Sequence, residues 1–221
     1  MKLQTLSLAA LLAVAGPVMA DTVLIERFTY KPPTRVSTLD LGDAANSRAD
    51  IKAGQFKGLL NGQSFVTYCT DLPQDLLLGV TYTDFSVVSG VTAWGSAKAG
   101  DVNRAVSVAM LAGVPTDAAQ SAAVQAAIWE VLYEKPGNGY DLGSGTFKVT
   151  SADAATQNYM NAIPWGEIHH APIAYRVDKL YSPQAQDLLV VTQVPEPGSL
   201  AMLAVGLVGI GVLTRRRSRR A

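Results

Sequence analysis

Leu200 to Leu213 is an unbroken run of apolar residues and glycine, and Arg215, Arg216, Arg217, Arg219 and Arg220 follow it at the extreme C-terminus. With Gly198 and Ser199 the run approaches the lower limit of about 17 residues for a membrane-spanning helix. A cationic cluster beside such a helix stays on the cytoplasmic side. A buried core helix is the alternative, and the terminal position and the arginines argue against it. Val194-Pro195-Glu196-Pro197 precedes the run as a stiff turn, because proline fixes φ and lacks a backbone donor. The other end is also apolar. Lys2 supplies a positive charge, Leu6 to Val14 has the length of a signal-peptide core, and Val18-Met19-Ala20 offers small residues for cleavage. The reading is a signal peptide at 1–20, an exported domain at 21–193 and a membrane-directed tail at 194–221. An uncleaved N-terminal helix is disfavoured by the shortness of its run.

These ends distort the overall charge of zero. Setting aside Lys2, the five tail arginines and Glu196 leaves 12 basic against 17 acidic residues in 21–193. A mildly acidic domain has no basic stripe for nucleic acid, and no nucleic-acid motif is present.

The 21–193 region is long enough for one sizeable core. Residues 23–30, 63–70 and 80–88 carry the β-branched and aromatic near-alternation of strands, with a tight-turn signal at Asn61-Gly62. The third of these is expected to pair with the strand bearing Cys69. The period then changes. Val102, Ala105, Val106, Ala109 and Met110 share a helical face. Gly113 and Pro115 end that helix, and Asp117 with Gln120 fits a capping box for a second helix reaching about Tyr133. A weaker helix is expected over 151–163. Strand patterning returns at 173–180 and 187–193. The predicted fold is α+β, an antiparallel β-sandwich or barrel-like sheet with a helical insertion.

Two residues pose a chemical question. Cys69 is the single cysteine, so it has no internal disulfide partner. It can fill the core, pair between molecules, or react. Gln125 lies on the face of the second helix that carries Ile128, Trp129 and Leu132. A buried carboxamide without partners costs on the order of 1–3 kcal/mol. One arrangement answers both: the Cys69 sulfur attacks the Gln125 carboxamide carbon, expels ammonia and leaves a thioester. No cofactor is needed, and a dry apolar wall of Tyr68, Ile128 and Trp129 would shield the bond. The bland alternative is a buried free thiol and a glutamine bonded to backbone.

Two resemblances attach to these residues. Val194-Pro195-Glu196-Pro197, the apolar run and the arginine cluster together resemble the PEP-CTERM sorting signal of Gram-negative bacteria. That resemblance implies recognition by an exosortase-type membrane peptidase, cleavage near the motif, and release to the cell surface or extracellular matrix. Tyr68-Cys69 and Val124-Gln125-Ala126-Ala127-Ile128-Trp129 resemble the signatures of bacterial thioester domains, which are adhesin modules. Gln186-Asp187-Leu188-Leu189-Val190 is a loose candidate for that family's third element. The resemblance implies a Cys69–Gln125 cross-link and covalent capture of an amine on a protein or polysaccharide. Such capture is a single turnover, not enzymatic catalysis. Val124 stands where that family often has threonine, and Thr70 where an aromatic is common.

Other constellations point to less. His169-His170 lacks further ligands for a metal. Pairing either histidine with Cys69 would give a cysteine hydrolase or acyltransferase. Glu130 and Glu134 are expected on a solvated helix edge. Trp94, Trp129 and Trp165 fit core packing better than a sugar-binding face. Thr67 and Thr70 are candidate oxyanion donors. A non-reactive structural protein of the polysaccharide matrix, with the same sorting signal, is the alternative function.

Overall fold

The computed structural model describes residues 20–110 and 115–194. The signal peptide expected at 1–20 and the apolar tail expected after Val194 thus fall, but for Ala20 and Val194, outside the described residues. No helix among the described residues is long and apolar enough to cross a membrane.

Among the described residues nine strands form two sheets. The larger contains β1 (Asp21–Phe28), β4 (Phe56–Leu60), β5 (Gln63–Thr67), β6 (Thr81–Val88), β8 (Tyr175–Tyr181) and β9 (Leu188–Gln193), in the order β5-β4-β1-β6-β8-β9. Every neighbouring pair is antiparallel. The smaller is β3 (Ile51–Ala53), β2 (Thr34–Asp40) and β7 (Phe147–Ser151). The predicted Asn61-Gly62 turn joins β4 to β5 as a two-residue hairpin, with Asn61 at φ 52° and Gly62 at φ 79°. Both central residues lie in the left-handed region that such a turn requires. Gly58 on β4 is fixed by contact: a Cβ there would overlap the Leu24 carbonyl oxygen, next to where β1 shifts register.

The two edges of the larger sheet, β5 and β9, come back together just beyond β5. Cys69 bridges Leu188, the Leu189 N–H donates to the Tyr68 carbonyl, and the Thr70 N–H donates to the Asp187 carbonyl. The sheet is therefore nearly closed, as the barrel-like expectation has it. The expected pairing of β6 with the Cys69 strand does not occur: β6 lies between β1 and β8. The alternation that marks β6 as a strand carries no information about its neighbour.

The helices are α1 (Gly90–Trp94), α2 (Ser96–Ala109), α3 (Ala118–Tyr133) and α4 (Ala154–Ala162). Asp117 caps α3 by accepting from the Gln120 N–H at 2.7 Å. Gln120 does not reach back to Asp117 but accepts from the Thr116 N–H, so the box closes one residue early. Lys98 donates to the Leu132 and Glu134 carbonyls at the other end, a cationic finish suited to the helix dipole.

Buried from Gln120 to Val131, α3 is enclosed on all sides. Ala122, Ala123, Ala126 and Trp129 belong to one apolar cluster with Val23, Ile25, Phe85 and Leu188. Val124, Ala127, Ile128 and Val131 belong to a second with Tyr68, Val102, Val106 and Leu189. Its alanines keep the helix thin enough to lie between the two. The expectation of a solvated Glu130–Glu134 edge is therefore wrong. Glu130 is fully buried and accepts from the Asp141 N–H; Glu134 is buried and accepts from the N–H groups of Thr146 and Phe147. Both carboxyls anchor the 140–147 segment.

Candidate functional site

The seam that closes the sheet also holds the single cysteine, Cys69. Successive residues of an extended chain face opposite ways. Tyr68 thus enters the second cluster while Cys69 enters the first. On the facing strand, Leu188 and Leu189 divide between the same two clusters, and Gln186 lies just before them.

Gln125 meets Cys69 through its main chain. Its Oε1 accepts from the Cys69 N–H at 3.0 Å, and its Nε2 donates to the Cys69 carbonyl at 2.9 Å. The carboxamide acts like one more strand neighbour, extending the ladder where no strand is available. The helix bearing Gln125 is pressed against the strand end bearing Cys69, as the sequence reading requires. The buried carboxamide, however, is satisfied by backbone. This is the arrangement the sequence reading treats as the alternative.

The sulfur meets a different glutamine. Cys69 Sγ lies 3.0 Å from Gln186 Oε1, and Gln186 Nε2 donates to the Asp71 carbonyl at 2.7 Å. The Gln186 carbonyl carbon is about 1.2 Å from its oxygen, so it lies within roughly 4 Å of the sulfur. Held at both ends, that carboxamide keeps its oxygen against the only thiol in the chain. The sequence reading joins Cys69 to Gln125; in the structure Gln125 holds the Cys69 main chain, and the side chain hydrogen-bonded to the sulfur is Gln186. Sequence did contain the signal, since Gln186 opens the Gln186–Val190 segment. Its meaning depended on which strand closes against Cys69.

A cavity of about 310 Å³ lies over this pair, walled by Phe28, Phe56, Leu72 and Trp129 and reached by Cys69 and Gln186. Of the three expected shielding residues, Trp129 lines it; Tyr68 and Ile128 pack in the opposite cluster. Arg48 braces the loop above, donating to the Leu72 carbonyl and pairing with Asp75.

Burial, reinforced by the nearby negative charge of Asp71, pushes the Cys69 thiol well above its ordinary pKa. Burial also raises Asp71, to about 7, with Asp187 adding like-charge repulsion. The resting sulfur is thus a thiol that donates to Gln186. Two buried donors nearby, the Trp129 indole N–H and the Thr70 hydroxyl, have no partner among the described residues. Thr67 is not free for an oxyanion role, because its hydroxyl donates to the Leu189 carbonyl at 2.6 Å.

Neither histidine lines the cavity. His169 sits on a 3-10 turn, 3.2 Å from Asp101, with its ring tilted against that of Tyr140. No group of three or more metal-ligating side chains is found among the described residues. The three tryptophans share no face: Trp129 packs in the first cluster, Trp94 against the second, and Trp165 against both, with its indole N–H on the Met160 carbonyl.

Comparison with known proteins finds the PEP-CTERM protein-sorting motif at residues 193–217. This is the segment whose order of turn, apolar run and arginines carried the first resemblance. The motif marks substrates of exosortase, a membrane protein, and signals export to the surface or the extracellular space. No curated protein and no solved structure matches the chain.

Proposed function

We propose that this is an exported, exosortase-sorted surface or matrix protein that attaches covalently to an amine-bearing target through an internal thioester between Cys69 and Gln186. The observation that carries the reading is the partly buried contact of Sγ with Gln186 Oε1 at 3.0 Å. Formation breaks the Gln186 C–N bond and makes a C–S bond, and the amide nitrogen leaves as ammonia with the thiol proton. Attack by a target amine then makes a new amide to Gln186, and the sulfur departs and is reprotonated. Neither step changes an oxidation state or needs a cofactor. Gln125, Tyr68 and Ile128 support the site from behind: the first aligns the Cys69 backbone, and the others fill the core beneath it.

In each step negative charge develops on the Gln186 carbonyl oxygen. The unpartnered Trp129 N–H suits that charge, since its ring walls the same cavity. Replacing Trp129 with Phe keeps the wall and removes the donor. The expected result is aminolysis slowed by about 10²-fold, measured as methylamine incorporation into a variant that still melts cooperatively.

The bond itself is tested by intact mass. The purified protein should weigh one ammonia less than its termini dictate, and Cys69 should resist alkylation after denaturation until methylamine is added. Peptide mapping should then find methylamine on Gln186. A full sequence mass with a freely alkylated Cys69 would establish the second reading, a non-reactive matrix protein with the same sorting signal. The raised thiol pKa is the observation that favours that reading.

A further inference from the structure

We propose that Asp71 is the proton carrier of the Cys69–Gln186 site, taking the thiol proton and delivering it to the departing amide nitrogen. The inference rests on the thioester reading. A neutral thiol attacking an amide must lose its proton, and the amide nitrogen must gain one, because NH2⁻ does not leave. The site therefore needs one group that faces both atoms and can hold a proton between the two events.

Asp71 is two residues beyond Cys69, at the turn that leads away from the seam. Its main-chain carbonyl accepts the hydrogen bond from Gln186 Nε2 at 2.7 Å, so the leaving nitrogen is held against this residue. Its carboxylate accepts from the Asp187 N–H at 2.8 Å, which pins the residue adjoining Gln186 to the same turn. The carboxylate is also near enough to Cys69 for its charge to bear on the thiol. Other titratable and charged groups act on Asp71 from the packed elements. Asp187 raises its pKa, Lys179 on β8 lowers it, and the Tyr133 hydroxyl on α3 feels its charge. The balance lies at about 7, chiefly through burial. At neutral pH the carboxyl is thus present in both forms, as a group that must take and return a proton requires. The carboxylates that line the cavity, Asp50 and Asp75, are exposed and paired with Arg35 and Arg48, and neither histidine lines it. In aminolysis the same carboxylate takes the proton of the attacking amine and returns it to the sulfur.

Asp71→Asn tests this, because the amide oxygen can still accept from the Asp187 N–H. The readout is the rate of methylamine incorporation across neutral pH, for the purified wild-type protein and the variant. Their ratio cancels the ionisation of methylamine. The ratio should reach about 10² or more, rising with pH and levelling above about 7. Complete absence of thioester from a folded variant, with the bond present in the wild type, also supports the role. Equal rates with a flat ratio would overturn the Asp71 assignment and leave the thioester standing. A wild-type mass lacking no ammonia would overturn both. Should D71N fail to fold, D187N serves instead. Removing that neighbouring charge should move the wild-type inflection to lower pH, and an unmoved inflection would overturn the assignment.

Discussion

Gln125→Met should cost roughly 2–6 kcal/mol of stability, whereas Gln186→Ala should leave the fold intact and abolish the ammonia loss. Methionine conserves the volume of glutamine, so the first cost isolates the carboxamide. It leaves the Cys69 N–H and carbonyl without partners in the core, at about 1–3 kcal/mol each. Against a typical domain stability of about 5–15 kcal/mol, a loss of that size moves the denaturation midpoint far enough to be plain in a urea titration. Gln186 is only partly buried, and its side chain makes one hydrogen bond to backbone and one to sulfur. Its removal should cost about 1 kcal/mol. The two glutamines thus separate into a structural one and a chemical one. A folded Gln186→Ala protein still one ammonia light, beside a folded Gln125→Met protein of full mass, would reverse those roles.

Glu130→Gln should flatten the decline of stability with pH between about pH 5 and about pH 8. Glu130 is fully buried, and burial raises its carboxyl from 4.5 to about 8. The folded protein therefore holds a proton that the unfolded chain releases throughout that window. Stability is full below the unfolded pKa and is lost as pH rises towards the folded one. At about 1.4 kcal/mol per unit, the loss from about pH 5 to about pH 8 is on the order of 3 kcal/mol. The glutamine variant keeps an oxygen to accept from the Asp141 N–H and has no proton to lose. Asp71 adds a slope of the same sign, which both proteins share, so their difference reports Glu130. Glu134 does not interfere. Burial opposes its charge, but hydrogen bonds from Asn138, Thr146, Phe147 and Lys135 outweigh it and hold its pKa below 4.5, beneath the window. Parallel melting temperatures at the two pH values would refute the assignment.

Local chemistry was legible wherever a signal is complete within a few residues. The Asn61-Gly62 turn, the Asp117 cap and the alternation of β1, β6, β8 and β9 are all evident in the sequence. The strands that escaped are short or weakly patterned: β2, β3, β4 and β7. β4 carries Gly58 at its centre because the Leu24 backbone approaches too closely for any side chain. Glu130 and Glu134 misled for a different reason. Charged residues at helical spacing imply solvent unless a distant backbone segment arrives to satisfy them, and here the 140–147 segment does.

By itself the sequence determined the sorting motif, the α+β class, the single thiol and the need for a partner to Gln125. These follow from composition and from periodicity along the chain, which act between near neighbours. Only the tertiary structure decided which glutamine meets the sulfur. That choice depends on β9 closing against the end of β5, more than a hundred residues away in the chain. Closure is set by the burial of Leu188 and Leu189 into two separate clusters, a three-dimensional condition that no local pattern contains.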